Sequence, residues 1–255
     1  LWLPSNVMAD YYTLNWVPRN VKKIAYATSF GIGSIPQKYK ETYRKYLTRI
    51  DYLSARETSG QEIISDLTDR SVPLVNDPAL LLDANGWDEV IKDKLIINDK
   101  YIFCYFMGDN PEQREFVKRL AKEKGLKIVA LLHLDQFIET DEHYADYTPW
   151  NISPADFVNL VKYAEYVCTD SFHGTVFSII YSRNFFTFKR FNKKASLSTN
   201  TRITSLLTRV GLMDKLVENL DKRPDNINDW IKIQECVSDF RNASGSWLIE
   251  SINKQ

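Results

Sequence analysis

Short apolar runs alternate with amphipathic stretches of about ten residues along most of this chain. Runs of the first kind form buried strands and stretches of the second kind form covering helices. Their alternation dictates parallel sheets and an α/β fold. The clearest unit lies at 161–188, VKYAEYVCTDSFHGTVFSIIYSRNFFTF. There Tyr166-Val167-Cys168 stops at Thr169-Asp170-Ser171, and Phe172-His173-Gly174-Thr175 opens a second apolar run that continues to Tyr181. The spacing predicts a strand, a tight turn, a helix and a further strand over Phe185–Phe188. Open α/β sheets bind ligands outside the carboxyl ends of their strands. A helix start adds unpaired N–H groups and a positive dipole end, which suit an anion. His173 stands at that junction. It can carry a proton near neutral pH or bind phosphate as a cation, or it can serve only to cap the turn. Ser171 and Thr175 add hydroxyls, and Gly174 is expected to let a ligand approach the backbone.

The same grammar repeats in two blocks. In the first, Lys23–Thr28 reads as a strand ending at Ser29-Phe30-Gly31-Ile32-Gly33, and residues 36–49 as a charged helix with Pro36 near its start. Tyr52–Ala55 is a second strand, followed by Arg56-Glu57 and a helix over Gln61–Leu67. Val72–Val75 leads to Asn76-Asp77-Pro78, where Asp77 suits an N-cap or Asx turn, and then to the apolar run Ala79–Leu82. The second block restarts with a strand at Tyr101–Met107. Asn110 then caps a helix over Pro111–Lys124, which Gly125 ends. A strand follows at Lys127–Leu132, then a polar, aromatic loop over 133–150. Ser153-Pro154 starts a helix that runs to about Ala164. Helices are expected at Thr201–Val210 and, as one or two elements, over Ile227–Leu248. The domain boundary is placed near 90–100.

Net charge separates function classes. Of 255 residues, 33 are Lys or Arg and 33 are Asp or Glu, so no global field recruits nucleic acid. The three cysteines, Cys104, Cys168 and Cys236, have no metal spacing and are odd in number. Cys104 and Cys168 fall in apolar runs and are expected to be buried. No metal site is expected. His133 and His143 flank the polar loop with no partner at ligand spacing. The aromatic segment Tyr144–Trp150 fits sugar stacking and interface cover equally well. Gly31-Ile32-Gly33 is too short for a dinucleotide fingerprint. The helix over 37–49 presents Lys38, Lys40, Arg44, Lys45 and Arg49, which fits a solvated face better than contact with an anionic membrane surface. On spacing alone, Arg56 reads as a surface ion pair rather than an anion ligand.

The ordered motifs resemble the polysaccharide pyruvyl transferase family. Those that carry the resemblance are Tyr26–Gly31, Ser54-Ala55-Arg56-Glu57, Asp77–Leu82, Ser153–Phe157, Thr169–Thr175 with Phe177–Ile180, and Arg202-Ile203 through Leu212. The resemblance implies two Rossmann-like domains facing a cleft, in the manner of GT-B glycosyltransferases. The first domain, 1–93, would be its later part only; 94–222 would be the second, with helices in 223–255 packing back on the first. It implies transfer of a pyruvyl group from phosphoenolpyruvate to a sugar or lipid-linked oligosaccharide, forming a ketal, with no cofactor. His173 would be catalytic. Arg56, Glu57, Asp170, Ser171, Gly174 and Thr175 would bind substrate, Arg56 at the phosphate or carboxylate. A cytoplasmic location, with peripheral contact at the inner membrane face as an option, goes with such chemistry. Many members have Arg-Leu-His-Gly where this chain has Ser171-Phe172-His173-Gly174, so either Arg56 or a lysine elsewhere must compensate, or the donor differs. The alternatives are a nucleotide-sugar-dependent glycosyltransferase and a non-catalytic carbohydrate-binding protein.

Overall fold

In the computed structural model the described residues are 6–190, 201–221 and 228–254. The chain divides into two units. One comprises Leu1–Leu81, Lys193–Leu206 and Glu235–Gln255; the other comprises Leu82–Asn192 and Leu207–Gln234. The first boundary therefore falls at 81/82 rather than 93. The boundary moves because Ala84–Val90 is a helix whose Trp87 packs on Phe177, at 4.9 Å between ring centroids, and so belongs to the second unit. Residues 201–206 join the first unit, against the expected extent of 94–222 for the second domain.

The first unit opens with α1 (Asn6–Tyr12) and holds β1 (Ile24–Thr28), α2 (Gln37–Leu47), β2 (Tyr52–Ala55) and α3 (Thr58–Thr68). Strands β1 and β2 are parallel neighbours. The expected strand at Val72–Val75 is reduced to a single parallel bridge between Leu74 and Ala55, and the run after Asp77 forms a 3-10 turn over Pro78–Leu81. Apolar side chains at Tyr43, Leu47, Ile63, Ile64 and Leu67 bury one stripe of α2 and of α3 against Leu53 and Ala55.

Strand β1 is irregular at its carboxyl end. Its register shifts between Ala25 and Thr28, and Ala27 sits at φ 53°. The buried Ser54 serves this bulge: its hydroxyl accepts from the Ala27 N–H at 2.9 Å and donates to the Ala25 carbonyl at 3.2 Å. Left-handed backbone costs an L-residue about 1–2 kcal/mol, a cost glycine escapes. Ala27→Gly is therefore expected to leave stability unchanged or raised. Ala27→Val, which adds a branched β-carbon at a buried left-handed position, should lose about 2 kcal/mol. Urea denaturation of the two variants reads this difference.

The second unit contains α4 (Ala84–Val90), β3 (Tyr101–Tyr105), α5 (Pro111–Lys124), β4 (Lys127–Leu131), α6 (Pro154–Lys162), β5 (Tyr166–Thr169), α7 (Phe172–Ile180), β6 (Asn184–Phe188) and β7 (Leu216–Val217). All strand pairs are parallel, in the order β4-β3-β5-β6-β7. The connection from β3 runs to one side and the connection to β5 to the other. The β3/β5 border is thus the topological switch point of a doubly wound sheet, where such folds bind ligands. Local sequence explains the helix limits. Asn110 accepts from Glu112 N–H at 2.9 Å, Gly125 takes φ 65° to end α5, and Ser153 with Asp156 forms a capping box at the start of α6. The core strands are apolar on both faces because helices cover both.

Helices α8 (Thr201–Val210) and α9 (Trp230–Asn253) contain the unit boundaries at 206/207 and 234/235. The C-terminal region is one helix of 24 residues, not two shorter ones; Ile227, where it was expected to begin, lies outside the described residues. Within the first unit, Arg241 of α9 donates to the Leu80 carbonyl at 2.8 Å, and the Ser244 hydroxyl accepts from Asn76 N–H at 2.9 Å. Among the described residues no helix is long and apolar enough to cross a membrane.

Candidate functional site

A cavity of about 1110 Å³ opens at the carboxyl ends of β3, β4 and β5, all within the second unit. Its wall is mainly apolar and aromatic. Trp87, Tyr105, Trp150, Phe157 and Phe177 line it, and the few polar groups include Ser153, Ser171, His173, His133 and Asp135. An apolar pocket with a small number of convergent polar groups is the usual form of a ligand site. The ring contacts Tyr105–Phe157 at 5.2 Å and Trp87–Phe177 at 4.9 Å fix the wall.

The junction between β5 and α7 divides labour among its residues. Ser171 is the N-cap, its hydroxyl accepting from Gly174 N–H at 3.4 Å. The cap thus belongs to Ser171 and not to His173. His173 follows in the first helical turn, is exposed, and lines the cavity. Thr175, expected to contact substrate, is fully buried; its hydroxyl donates to the Ser171 carbonyl and meets the Thr187 hydroxyl, each at 3.0 Å. Gly174 is also buried, and its reason differs from the one expected. A β-carbon there would stand 2.6 Å from Thr169 Oγ1 and 2.9 Å from its Cγ2, so glycine is needed for α7 to lie on β5.

Asp170 is buried as well. Its carboxylate accepts from the Met107 and Gly108 N–H groups at 2.7 and 2.9 Å. It therefore ties the loop after β3 to the end of β5, across the switch point. Burial pushes its pKa up, against these backbone hydrogen bonds and the nearby Arg190. Arg190, just past β6, has Nε 3.7 Å from Asp170 Oδ1. It is a cation at the switch point on which the sequence reading placed no role.

The first unit uses the same device. Glu57, fully buried just after β2, accepts from Phe30 and Gly31 N–H at 2.9 and 3.2 Å, pinning the loop after β1. In both units a carboxylate following one parallel strand holds two successive N–H groups of the loop following its neighbour. Arg56 is half-buried; it donates to Asp77 through a short contact, and its Nε lies 3.8 Å from Glu57 Oε2. Asp77 also accepts from Ala79 N–H at 3.0 Å, the expected Asx geometry. Arg56 thus belongs to a partly buried ion-pair cluster, not to a surface pair. It lies in the first unit and His173 in the second.

One arrangement escaped the sequence reading. His133 Nδ1 lies 2.7 Å from Asp141 Oδ2, and that same oxygen accepts the His133 backbone N–H at 3.2 Å. The other Asp141 oxygen accepts from Arg114 at 2.7 Å. Burial raises the Asp141 pKa, but the hydrogen bonds from His133 and Arg114 outweigh it and hold the carboxyl below its usual value. A depressed carboxyl contributes stability that is present above its unfolded pKa and is lost as pH falls through the folded value. Between roughly pH 5 and 3, wild-type thermal stability is therefore expected to fall more steeply than that of Asp141→Asn, a comparison calorimetry can make.

The loop 144–150 divides: Tyr144 is core, whereas Trp150 is 78% exposed at the cavity. Cys104 and Cys168 are buried neighbours on β3 and β5, and burial pushes both thiols up. Among the described residues no cluster of His, Cys, Asp and Glu could hold a metal ion.

The sequence profile described as polysaccharide pyruvyl transferase matches residues 4–190. The chain belongs to that family. No curated protein matches it. Among solved structures, the family member is similar to UDP-GlcNAc 2-epimerase from Methanocaldococcus jannaschii in complex with UDP-GlcNAc and UDP. The identity is 12% and the TM-score 0.43, with 86% of this chain and 69% of that one covered. It is likewise similar to UDP-GlcNAc 2-epimerase from Neisseria meningitidis bound to UDP-GlcNAc, at 13% identity, TM-score 0.48, and coverage of 95% and 72%. For the wall teichoic acid polymerase TagF the values are 16%, 0.41, 90% and 63%.

Proposed function

We propose that this pyruvyl transferase family member moves a pyruvyl group from phosphoenolpyruvate to a sugar of a polysaccharide or its lipid-linked precursor, forming a ketal on two hydroxyls. The observation that carries this reading is an exposed histidine in the first turn of α7, at the rim of an aromatic cavity on the switch point. Phosphoenolpyruvate is an anion at both ends and suits a helix N-terminus with a nearby cation. Arg190 supplies that cation on the β6 side, in place of the arginine that Ser171 replaces.

The reaction balances without a cofactor. One hydroxyl proton of the sugar ends on the donor's methylene carbon, which becomes a methyl group. The other ends on the released phosphate. His173, at the anion, is the group to protonate the methylene carbon. The aromatic wall stacks on the sugar face. The test is incubation with phosphoenolpyruvate and a panel of nitrophenyl and lipid-linked glycosides, following phosphate release and the pyruvyl adduct by mass spectrometry. Turnover of a nucleotide sugar, with no phosphate from phosphoenolpyruvate, would overturn the reading in favour of a glycosyltransferase.

A further inference from the structure

His133 is a second histidine of the cavity, and its ring is held as a reactive imidazole is held. It follows β4, lines the cavity and has a side chain only 10% exposed. Its Nδ1 is engaged by Asp141, whose own charge is matched by the buried Arg114 at 2.7 Å. Arg114 is in turn fixed: it donates to the Asn110 carbonyl at 3.2 Å and lies over the Phe106 ring at 4.9 Å. An ionised carboxylate can only accept, so the proton of the neutral ring sits on Nδ1 and the lone pair on Nε2. Nε2 is buried, and no described residue pairs with it. A buried polar atom left unpaired carries the full desolvation penalty of that group, and native structures rarely carry one without a reason. Here a three-residue chain of polar groups is spent on orienting a ring whose other nitrogen has no partner among the described residues.

We infer that His133 is a ligand-contacting residue of this cavity, its Nε2 accepting a hydrogen bond from a hydroxyl of a bound sugar. A lone pair recognises a donor, and a hydroxyl is the donor that a sugar offers. An anionic phosphate or carboxylate offers none, so the two histidines are matched to different ends of the reaction. If the proposed pyruvyl transfer holds, the same contact makes His133 the base for one sugar hydroxyl. As that oxygen bonds to the central pyruvyl carbon, its O–H electron pair enters the new C–O bond and its proton passes to Nε2. Asp141 steadies the resulting imidazolium, which returns the proton to the departing phosphate.

The test separates the contact from the reaction. The chain has 3 histidines, so a carbon–proton correlation spectrum has three imidazole Cε1–H signals, assigned with His133→Gln, His143→Gln and His173→Gln. Adding nitrophenyl glycosides of glucose, galactose, mannose and N-acetylglucosamine to the wild-type chain should move the His133 signal. The His143 signal, from a side chain 94% exposed, should stay in place. In the turnover assay His133→Gln should lose about 10²-fold in kcat with KM for phosphoenolpyruvate unchanged. A His133 signal indifferent to every glycoside overturns the inference, and so does a folded His133→Gln variant with wild-type kcat. Should wild-type chain release no phosphate from phosphoenolpyruvate, the proposed reaction fails, and the spectrum alone decides whether His133 meets a sugar.

Discussion

His173→Ala is expected to cut phosphate release from phosphoenolpyruvate by about 10²-fold or more while leaving the melting temperature of the protein unchanged. The two halves of that expectation have separate grounds. Stability should hold because the side chain is exposed and the cap of α7 is supplied by Ser171, so the fold does not draw its turn geometry from the imidazole. Activity should fall because the residue sits in the first turn of α7, where the positive end of the helix dipole attracts an anion, and lines the cavity beside Ser171. His173→Gln retains polarity and hydrogen bonding but cannot deliver a proton in the same way. If His173→Gln restores the rate lost in His173→Ala, the histidine binds but does not act as an acid. If both variants keep the wild-type rate, the site assignment fails. Phosphate release and thermal unfolding, measured on the same preparations, distinguish all three results.

The elements were legible where one physical signal dominated. Pro111–Lys124 carries an N-cap asparagine, proline at its first position and a glycine ready for φ 65°, and its helix begins and ends where those residues direct. Strands β3, β4, β5 and β6 are short apolar runs bounded by turn residues, and each formed within two residues of its expected limits. The failures came where tertiary contacts decide. Val72–Val75 has strand-like residues, yet finds only one bridge to Ala55, because Pro73 has no N–H to extend the ladder. The boundary near 90–100 was read from flanking charges, whereas Trp87 had already committed α4 to the second unit.

The site was legible as a place more than as a set of roles. The strand–turn–helix at 161–188 pointed to the carboxyl edge of a parallel sheet, and the cavity is there. Of its polar residues, however, Asp170 and Thr175 are buried and spent on backbone and hydroxyl partners, and Glu57 does in the first unit what Asp170 does in the second. A sequence records that a carboxylate follows a strand; it does not record whether that carboxylate faces a ligand or the N–H groups of a neighbouring loop. His133 shows the converse. Its partner Asp141 lies eight positions away across a loop with no periodicity, and Arg114 comes from a helix before β4. Only the packed loop brings the three together.

Gly174→Ala is expected to destabilise the second unit by about 1–3 kcal/mol, the cost of forcing extra volume into a packed interior. The added methyl group would meet three atoms of one side chain: Thr169 Oγ1 at 2.6 Å, Cγ2 at 2.9 Å and Cβ at 3.1 Å. Thr169 has no room to retreat. It is fully buried, its hydroxyl donates to the Tyr105 carbonyl at 2.5 Å, and it accepts from Ser171 N–H at 3.0 Å. Relief must come from moving α7 off β5, which would shift Ser171 and His173 relative to the cavity. A glycine kept for ligand approach predicts something else: an alanine that folds as well as wild type but binds its donor less tightly. Thr169→Ala separates the two. It costs stability by itself, through the two lost hydrogen bonds, but it removes Oγ1 and Cγ2. The Gly174→Ala penalty, measured by chemical denaturation in that background, should then shrink by about 0.5 kcal/mol or more, the coupling expected of residues in contact. Equal penalties in both backgrounds would mean that the glycine is not there for the strand beneath it.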